Sequence, residues 1–259
     1  MSDQSEIWAR LGRLTPARIG LGRAGSGQPT RAILGFGLAH AQARDAVHAA
    51  LDAAALQERI AALGLPSLAL ASQAADRAAY LRRPDLGRRL APESRDRLAQ
   101  AADGDCDLAL VVADGLSARA VHENAVPLLE AFRPHAERAG WRLGPVVVAV
   151  QARVALGDAV GEALKARAVA VLIGERPGLS SPDSLGIYLT FAPRPGRSDA
   201  ERNCISNVRG AGLSPDRAAF KLAWLLDQAL RRGLTGVRLK DESDRSLDGP
   251  DAAGTIART

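Results

Sequence analysis

Four short apolar runs in the C-terminal part of the chain carry the strongest structural signal. They cover residues 108–113, 146–150, 169–173 and 185–191, and each contains Val or Ile. Runs that are apolar at nearly every position are typical of strands covered on both faces, as in a parallel sheet. Because helical stretches separate most of them, the pattern predicts an α/β fold: a mostly parallel, Rossmann-like sheet flanked by helices. Residues 237–239 are expected to form a last edge strand.

Helical periodicity predicts three longer helices around these strands. Residues 38–63 are Ala-rich, carry an apolar stripe and stop at Gly64, which predicts one continuous helix. Ser117 is a good N-cap for a second helix that ends near Ala139 and that Pro127 and Pro134 should bend or break. A third helix begins at Ser214-Pro215 and ends at Gly233.

The N-terminal third has a different character. Residues 1–12 form a polar leader, residues 15–34 are basic and rich in Gly, and residues 73–102 suggest short helices broken at Pro84 and Pro92. The expected organisation is therefore a basic helical N-terminal region at 1–102, an α/β domain at 103–240 and a polar tail at 241–259.

Charge supports this division. The 259-residue chain has a net charge of +5, and residues 1–100 hold 14 Arg or Lys against 9 Asp or Glu, while the remainder holds 20 against 20. The excess predicts contact between the first hundred residues and an acidic surface or an anionic group. A nucleic acid is a weaker alternative, because no basic run is interleaved with aromatic residues and no zinc-finger spacing occurs.

Targeting signals are also missing from the sequence. Nothing near the first residue resembles a signal peptide, and no apolar run approaches the roughly 18 residues that a membrane helix needs. With two cysteines 98 positions apart, we expect a cytosolic protein with reduced thiols and no membrane association.

Motifs for self-contained catalysis are absent from the sequence. It has no G-x-S-x-G elbow, no clustered Cys and His for zinc, and no G-x-G-x-x-G after the first apolar run. The Gly22-x-x-Gly25-x-Gly27 segment resembles a phosphate loop only weakly. Glu175 and Arg176 follow the central apolar run directly, at the strand end where ligands of open α/β sheets bind. These features favour a subunit that holds a cofactor.

Five segments together resemble the small subunit of ethanolamine ammonia-lyase: TPARIGLGRAGSGQPT at 15–30, LAHAQARDAVH at 38–48, VVADGLSARAVHENAVPLL at 111–129, LIGERPGL at 172–179 and ERNCISN at 201–207. The resemblance implies a subunit of an adenosylcobalamin-dependent enzyme that converts ethanolamine into acetaldehyde and ammonia by a radical route. It further implies that the large subunit carries the substrate and the chemistry, and that this chain covers the cofactor.

Three cofactor contacts carry over from the family by local motif: Glu175, Cys204 and Val154. All three are expected at the carboxyl edge of the sheet, near the second and third apolar runs; simple core packing is the alternative for Val154. Asp45-Ala46-Val47-His48 lacks the D-x-H-x-x-G spacing by which a protein His replaces the cofactor's base. We therefore expect base-on cobalamin and no cobalt ligand from this chain, in agreement with the family.

The resemblance also bears on partners and location. The family assembles as a dimer of heterodimers that is trimerised, and we expect Arg18, Arg23 and the face formed by His40, Arg44 and His48 to contact the large subunit. The cytosol is the expected location, with a bacterial microcompartment as the alternative. A stand-alone α/β module that binds a nucleotide or sugar phosphate remains the competing function.

Overall fold

The structure is a computed structural model that describes residues 3–102 and 104–247. Along the chain the elements are α1 (Asp3–Gly12), α2 (Thr30–His48), α3 (Ala53–Ala62), β1 (Ser67–Ala71), α4 (Arg77–Arg82), α5 (Pro92–Ala101), β2 (Cys106–Ala113), α6 (Ala118–Ala139), β3 (Val146–Val150), α7 (Leu156–Ala163), β4 (Ala166–Gly174), β5 (Leu185–Phe191), β6 (Arg202–Val208), α8 (Pro215–Arg232) and α9 (Ser243–Leu247). Short 3₁₀ turns lie between some of them.

The sheet confirms the predicted fold class. Its strand order is β1-β3-β2-β4-β5-β6, and the first four strands in this order run parallel. β5 and β6 extend the sheet in antiparallel fashion. Apolar side chains of α3, α6 and α8 cover one face, and those of α5 and α7 cover the other. Burial on both faces explains why the central strands read as continuous apolar runs.

Two of these strands were not predicted, and one predicted strand is wrong. β1 lies within the segment assigned to the N-terminal region and pairs with β3, whereas β6 is an edge strand rich in polar residues. Residues 237–239 do not form a strand; a 3₁₀ turn, Gly236–Arg238, occupies this position. The Asn203 amide explains the difference, because it accepts a hydrogen bond from Gly236 N and donates one to Leu239 O.

The helix predicted over 38–63 is two helices, α2 and α3. Asp52 starts α3 as its N-cap and accepts a hydrogen bond from Ala55 N at 3.0 Å. The Asp52 backbone N–H itself donates to His122 Nε2 at 3.2 Å, and the Val47 carbonyl at the end of α2 accepts from Arg77 Nε at 2.6 Å. These tertiary hydrogen bonds stabilise the interruption, which local helix propensity alone does not reveal.

The expected break in the second long helix is also wrong. α6 continues through both Pro127 and Pro134, and a buried face along its length packs on the sheet and on α8. This packing offsets the hydrogen bonds that the two prolines remove. The predicted helix ends are confirmed: the Ser117 and Ser214 side chains cap α6 and α8, and Gly233 ends α8 in the left-handed conformation.

The chain ends depart in part from the expected leader and tail. Residues 3–12 form α1 and residues 243–247 form α9, whereas residues 248–259 of the predicted tail lie outside the described residues. The division into an N-terminal region, an α/β domain and a tail stays a prediction. None of the helices in the described ranges combines the length and the hydrophobicity needed to cross a membrane.

A buried ion pair fixes the position of β6. Both Arg202 terminal nitrogens donate to the Asp158 carboxylate at 2.7 Å, and each side chain is only 1% exposed. The pair joins the edge strand to α7, and Thr190 Oγ1 accepts a further hydrogen bond from Arg202. The antiparallel extension of the sheet is thereby attached to its parallel part.

We predict that Asp158→Asn lowers the free energy of unfolding by about 3–5 kcal/mol, because it leaves the buried Arg202 charge with the solvent-exposed Asp199, 3.5 Å away, as its ion-pair partner. Urea unfolding measures this change. Glu123→Gln is the matched control, since Glu123 forms an exposed pair with Arg119 whose loss costs less than about 1 kcal/mol. Equal effects of the two substitutions would contradict the structural role of the buried pair.

Candidate functional site

A cavity of about 400 Å³ lies at the carboxyl ends of β2, β3 and β4. Val154 and Glu175, two of the three predicted site residues, line it together with Tyr80, Arg153 and Tyr188. This is the edge of an open α/β sheet at which ligands bind. The structure therefore brings the segment after β3 and the segment after β4 into one concave site.

Two glycines allow the strand ends to approach closely. Gly115 has a φ of +54°, and a Cβ there would lie 2.2 Å from the Gly174 carbonyl oxygen. A Cβ on Gly174 would lie 2.1 Å from Ser117 O. Only residues without side chains fit this contact, which forms part of the cavity wall.

The buried Asp114 carboxylate positions the segment that carries Val154. It accepts hydrogen bonds from Gln151 N at 2.9 Å and Ala152 N at 3.0 Å, and Arg77 Nη1 lies 3.6 Å away. Burial raises the pKa of Asp114, while the two amide donors and Arg77 oppose that rise. The carboxylate thus fixes the backbone two residues before Val154.

Tyr80 lines the cavity and orients two arginines beside it. Its ring is fully buried, and two guanidinium groups lie over it, with Arg77 Cζ at 4.7 Å and Arg153 Cζ at 4.2 Å from the ring centroid. The Tyr80 hydroxyl donates to Ala152 O at 3.2 Å, and burial raises the pKa of Tyr80 to about 12. The ring therefore stays neutral and orients both arginines by cation–π contact.

Glu175 has one engaged carboxylate oxygen and one available oxygen. Ser184 Oγ donates to Oε2 at 2.5 Å, and Asn207 N donates to the same atom at 3.4 Å. Within residues 3–102 and 104–247, no hydrogen bond reaches Oε1. Gly186 provides the space for this atom, because a Cβ at Gly186 would lie 2.8 Å from it. Glu175 thus offers an oriented acceptor to a ligand.

Cys204 lies beside this cavity but not at the carboxyl edge where it was expected. It is exposed on β6 and pairs with Tyr188, which in turn pairs with Val171 inside β4. Loss of surrounding water raises the pKa of the Cys204 thiol, Tyr188 lowers it, and the Glu175 carboxylate raises it further. The three predicted residues therefore border one continuous surface, with Cys204 on the open face of the antiparallel extension.

Successive residues of the polar segment 203–207 point to opposite faces of β6. Asn203 bonds the backbone of residues 236 and 239, so its amide has a structural role. Cys204 and Ser206 are exposed, and the Asn207 backbone contacts Glu175. Only alternate members of this segment can therefore face a ligand.

Sequence reasoning missed several residues that shape the site. Asp114 directly follows a buried strand, and that position was a usable signal. No comparable sequence signal points to Tyr80 or Gly186. Tyr80 matters through its contact with Arg153, which is distant in sequence, and Gly186 matters because an unpredicted strand pairing places it against Glu175. In the described part of the chain, no group of His, Cys, Asp and Glu side chains is arranged to bind a metal ion.

Comparison with known proteins gives consistent results. A family model described as "Ethanolamine ammonia-lyase light chain (EutC)" matches residues 5–240. A protein from Xanthomonas campestris pv. campestris named ethanolamine ammonia-lyase small subunit is 59% identical over 255 residues, covering 97% of this chain and 94% of the relative. Proteins of the same name from Rhodopseudomonas palustris and Azotobacter vinelandii are 59% and 56% identical over 233 and 257 residues; they cover 90% and 96% of this chain and 89% and 95% of their own lengths.

We predict that Glu175→Gln lowers the pKa of Cys204, because it removes the carboxylate charge that raises it. More thiolate then forms at a given pH, so iodoacetamide alkylates Cys204 faster at pH 8. The pH dependence of the alkylation rate measures the shift, and the buried Cys106 is an internal reference. Glu137→Gln, on α6, should leave the rate unchanged; a slower reaction of Cys204 in Glu175→Gln would refute the electrostatic coupling.

Proposed function

The chain belongs to the ethanolamine ammonia-lyase light-chain family, and on that premise we propose that it holds adenosylcobalamin against a catalytic large subunit. The relatives named above are small subunits of this lyase. In the proposed complex, ethanolamine is converted into acetaldehyde and ammonia by a radical route. The large subunit would bind the substrate, and this chain would contribute no residue to the chemical step.

The single observation that supports cofactor binding is the shared surface formed by Val154, Glu175 and the Tyr188–Cys204 pair. A corrinoid presents amide groups, a ribose and a phosphate around a large apolar ring. Glu175 Oε1 can accept a hydrogen bond from an amide or a hydroxyl group. Val154, Leu116 and Ile173 form an apolar wall. In the part of the chain that the structure describes, the buried Arg153 Nε has no hydrogen-bond partner. The residues present therefore fit the chemistry of the group.

The protein's contribution is positioning and the exclusion of water. The bound cofactor supplies homolysis of its cobalt–carbon bond. Asp114 and Tyr80 hold Val154 and Arg153 in place before binding, which reduces the conformational entropy lost on binding. The sequence contains no D-x-H-x-x-G motif. We therefore propose base-on binding with no cobalt ligand from this chain.

The large subunit is proposed to dock on α2 and the preceding arm. α2 exposes Ile33, Leu34, Phe36 and Leu38, and contiguous apolar exposure of this kind marks interaction surfaces. Next to them, Arg18 Cζ lies 6.0 Å from the Phe36 ring centroid, and His40 stacks on the same ring.

The higher assembly and the location of the complex are proposals that rest on family membership alone. We propose a trimerised dimer of heterodimers, located in the cytosol or inside a bacterial microcompartment. Neither proposal depends on the geometry of the cavity.

The decisive experiment is an absorbance spectrum of the co-expressed complex after incubation with adenosylcobalamin and gel filtration. We expect the complex to retain the corrin bands, and this chain alone to retain them weakly or not at all. The visible band position also reports whether the benzimidazole base remains on cobalt. Glu175→Ala should weaken retention about tenfold, as loss of a charge-assisted hydrogen bond implies.

Gly186→Ala should weaken retention in the same way, because the new Cβ displaces the Glu175 carboxylate. Glu137→Ala is the control, since Glu137 lies on α6, which packs on the other face of the sheet. Failure of the complex to retain corrinoid would reject the proposed function. Phosphate-ester binding by the isolated chain through the Gly22–Gly27 loop would instead favour the stand-alone binding module.

We predict that replacing both Arg18 and Arg23 by Glu reduces co-purification of the large subunit about tenfold or more, because like charges would then face an acidic partner surface. A pull-down at two salt concentrations measures the effect, and high salt should reduce the difference. Replacing Arg138 and Arg232 by Glu makes the same charge change on exposed residues of α6 and α8. Unchanged co-purification of the Arg18/Arg23 variant would count against this docking surface.

A further inference from the structure

A second cavity, of about 790 Å³, adjoins the candidate site and shares Arg153 and Val154 with it. Its walls come from the segment between α4 and α5, the first turns of α5, the segment after β3, and residues 195–199. The arginine cavity, as we name it, is lined by five arginines: Arg88, Arg89, Arg95, Arg153 and Arg197. Its position continues the proposed binding surface beyond Val154.

Positive charge in this cavity is largely uncompensated. Among the described residues, Arg88, Arg89 and Arg95 have no ion pair within 4 Å, whereas Arg197 pairs with Glu201. Asp199 is the one carboxylate that the described residues contribute to the lining, and it lies 3.5 Å from Arg202 Nε. The chain contains far more Arg than Lys, which explains why these basic residues are arginines. It does not explain why five of them line one cavity.

Backbone and side-chain contacts join the segments that carry Arg88, Arg89 and Arg153. Arg153 N donates to Gly87 O at 2.8 Å, which ties the segment carrying Arg88 and Arg89 to the segment after β3. A Cβ at Gly87 would lie 2.9 Å from Arg153 Cγ, so the two segments are in direct contact. Arg153 Nη2 donates to Tyr80 O, while no group in residues 3–102 or 104–247 forms a hydrogen bond with its buried Nε. Like charges held together in this way are stabilised when an anion binds between them.

We propose that the arginine cavity binds the phosphate group of a phosphate ester. Guanidinium groups offer planar pairs of N–H donors that match two phosphate oxygens, and several arginines on one wall are typical of phosphate recognition. The inference rests on the proposed function for one of its two sources, the phosphodiester of the cobalamin nucleotide loop. The other source is a free phosphate ester that binds independently of any corrinoid.

The test compares the wild-type complex with a variant carrying Arg88→Gln and Arg89→Gln, both exposed positions whose replacement should preserve the fold. Affinity is measured for adenosylcobalamin and for adenosylcobinamide, a corrinoid that lacks the nucleotide phosphate. Thermal unfolding of both complexes is measured with inorganic phosphate, against chloride at equal ionic strength. A variant with Arg138→Gln and Arg232→Gln, at exposed positions outside this cavity, is the charge-matched control.

If the cavity binds the phosphate of the cofactor, the Arg88/Arg89 variant should bind adenosylcobalamin about tenfold more weakly and adenosylcobinamide with unchanged affinity. Binding of a free phosphate ester predicts unchanged corrinoid affinities, and a rise in Tm with phosphate that the variant loses. The proposal is overturned if both corrinoids are affected equally or not at all and phosphate does not stabilise the wild-type complex. If the wild-type complex retains no corrinoid, the proposed function fails, and the phosphate measurement alone decides this inference.

Discussion

The Asp114 carboxylate at the end of β2 is the interaction on which the geometry of the site depends. It accepts the backbone N–H groups of residues 151 and 152 and faces Arg77, which also donates to Val47 O and Gly115 O. A buried carboxylate without such partners would carry a large desolvation penalty. Its position therefore fixes three separate segments relative to the sheet: the end of α2, the start of α4 and the segment after β3.

The antiparallel strands β5 and β6 leave part of one sheet face open, beside the part that a helix covers. α7 covers the parallel strands, whereas Tyr188 and Cys204 on β5 and β6 remain accessible in part. The buried Arg202–Asp158 pair attaches this extension to α7. A strand pair that is firmly anchored yet uncovered on one face suits a surface that a large ligand or a partner completes.

Charged groups and apolar groups make different contributions along this surface. Glu175 contributes an acceptor held by Ser184, and Val154 lines both this site and the adjoining cavity, which is rich in guanidinium groups. An acceptor, an apolar wall and a set of cationic donors together complement a ligand that carries amide, hydroxyl and phosphate groups.

The sequence by itself determined the central strands, the caps at Ser117 and Ser214, and the placement of Glu175 at a strand end. Each depends on burial of a segment or on hydrogen bonds within one turn, which residue type and spacing encode directly. The motifs around Glu175 and Cys204 also indicated the family.

Only the tertiary structure decided three features: the pairing of β1 with β3 and of β6 with β5, the interruption between α2 and α3, and the cation–π contacts of Tyr80 with Arg77 and Arg153. Edge strands pair through backbone groups that every residue shares, and the other two features depend on side chains that are far apart in the chain. The same reason explains why Cys204 was expected at the carboxyl edge of the sheet with Val154 and Glu175, whereas the pairing of β6 places it on the open face beside them.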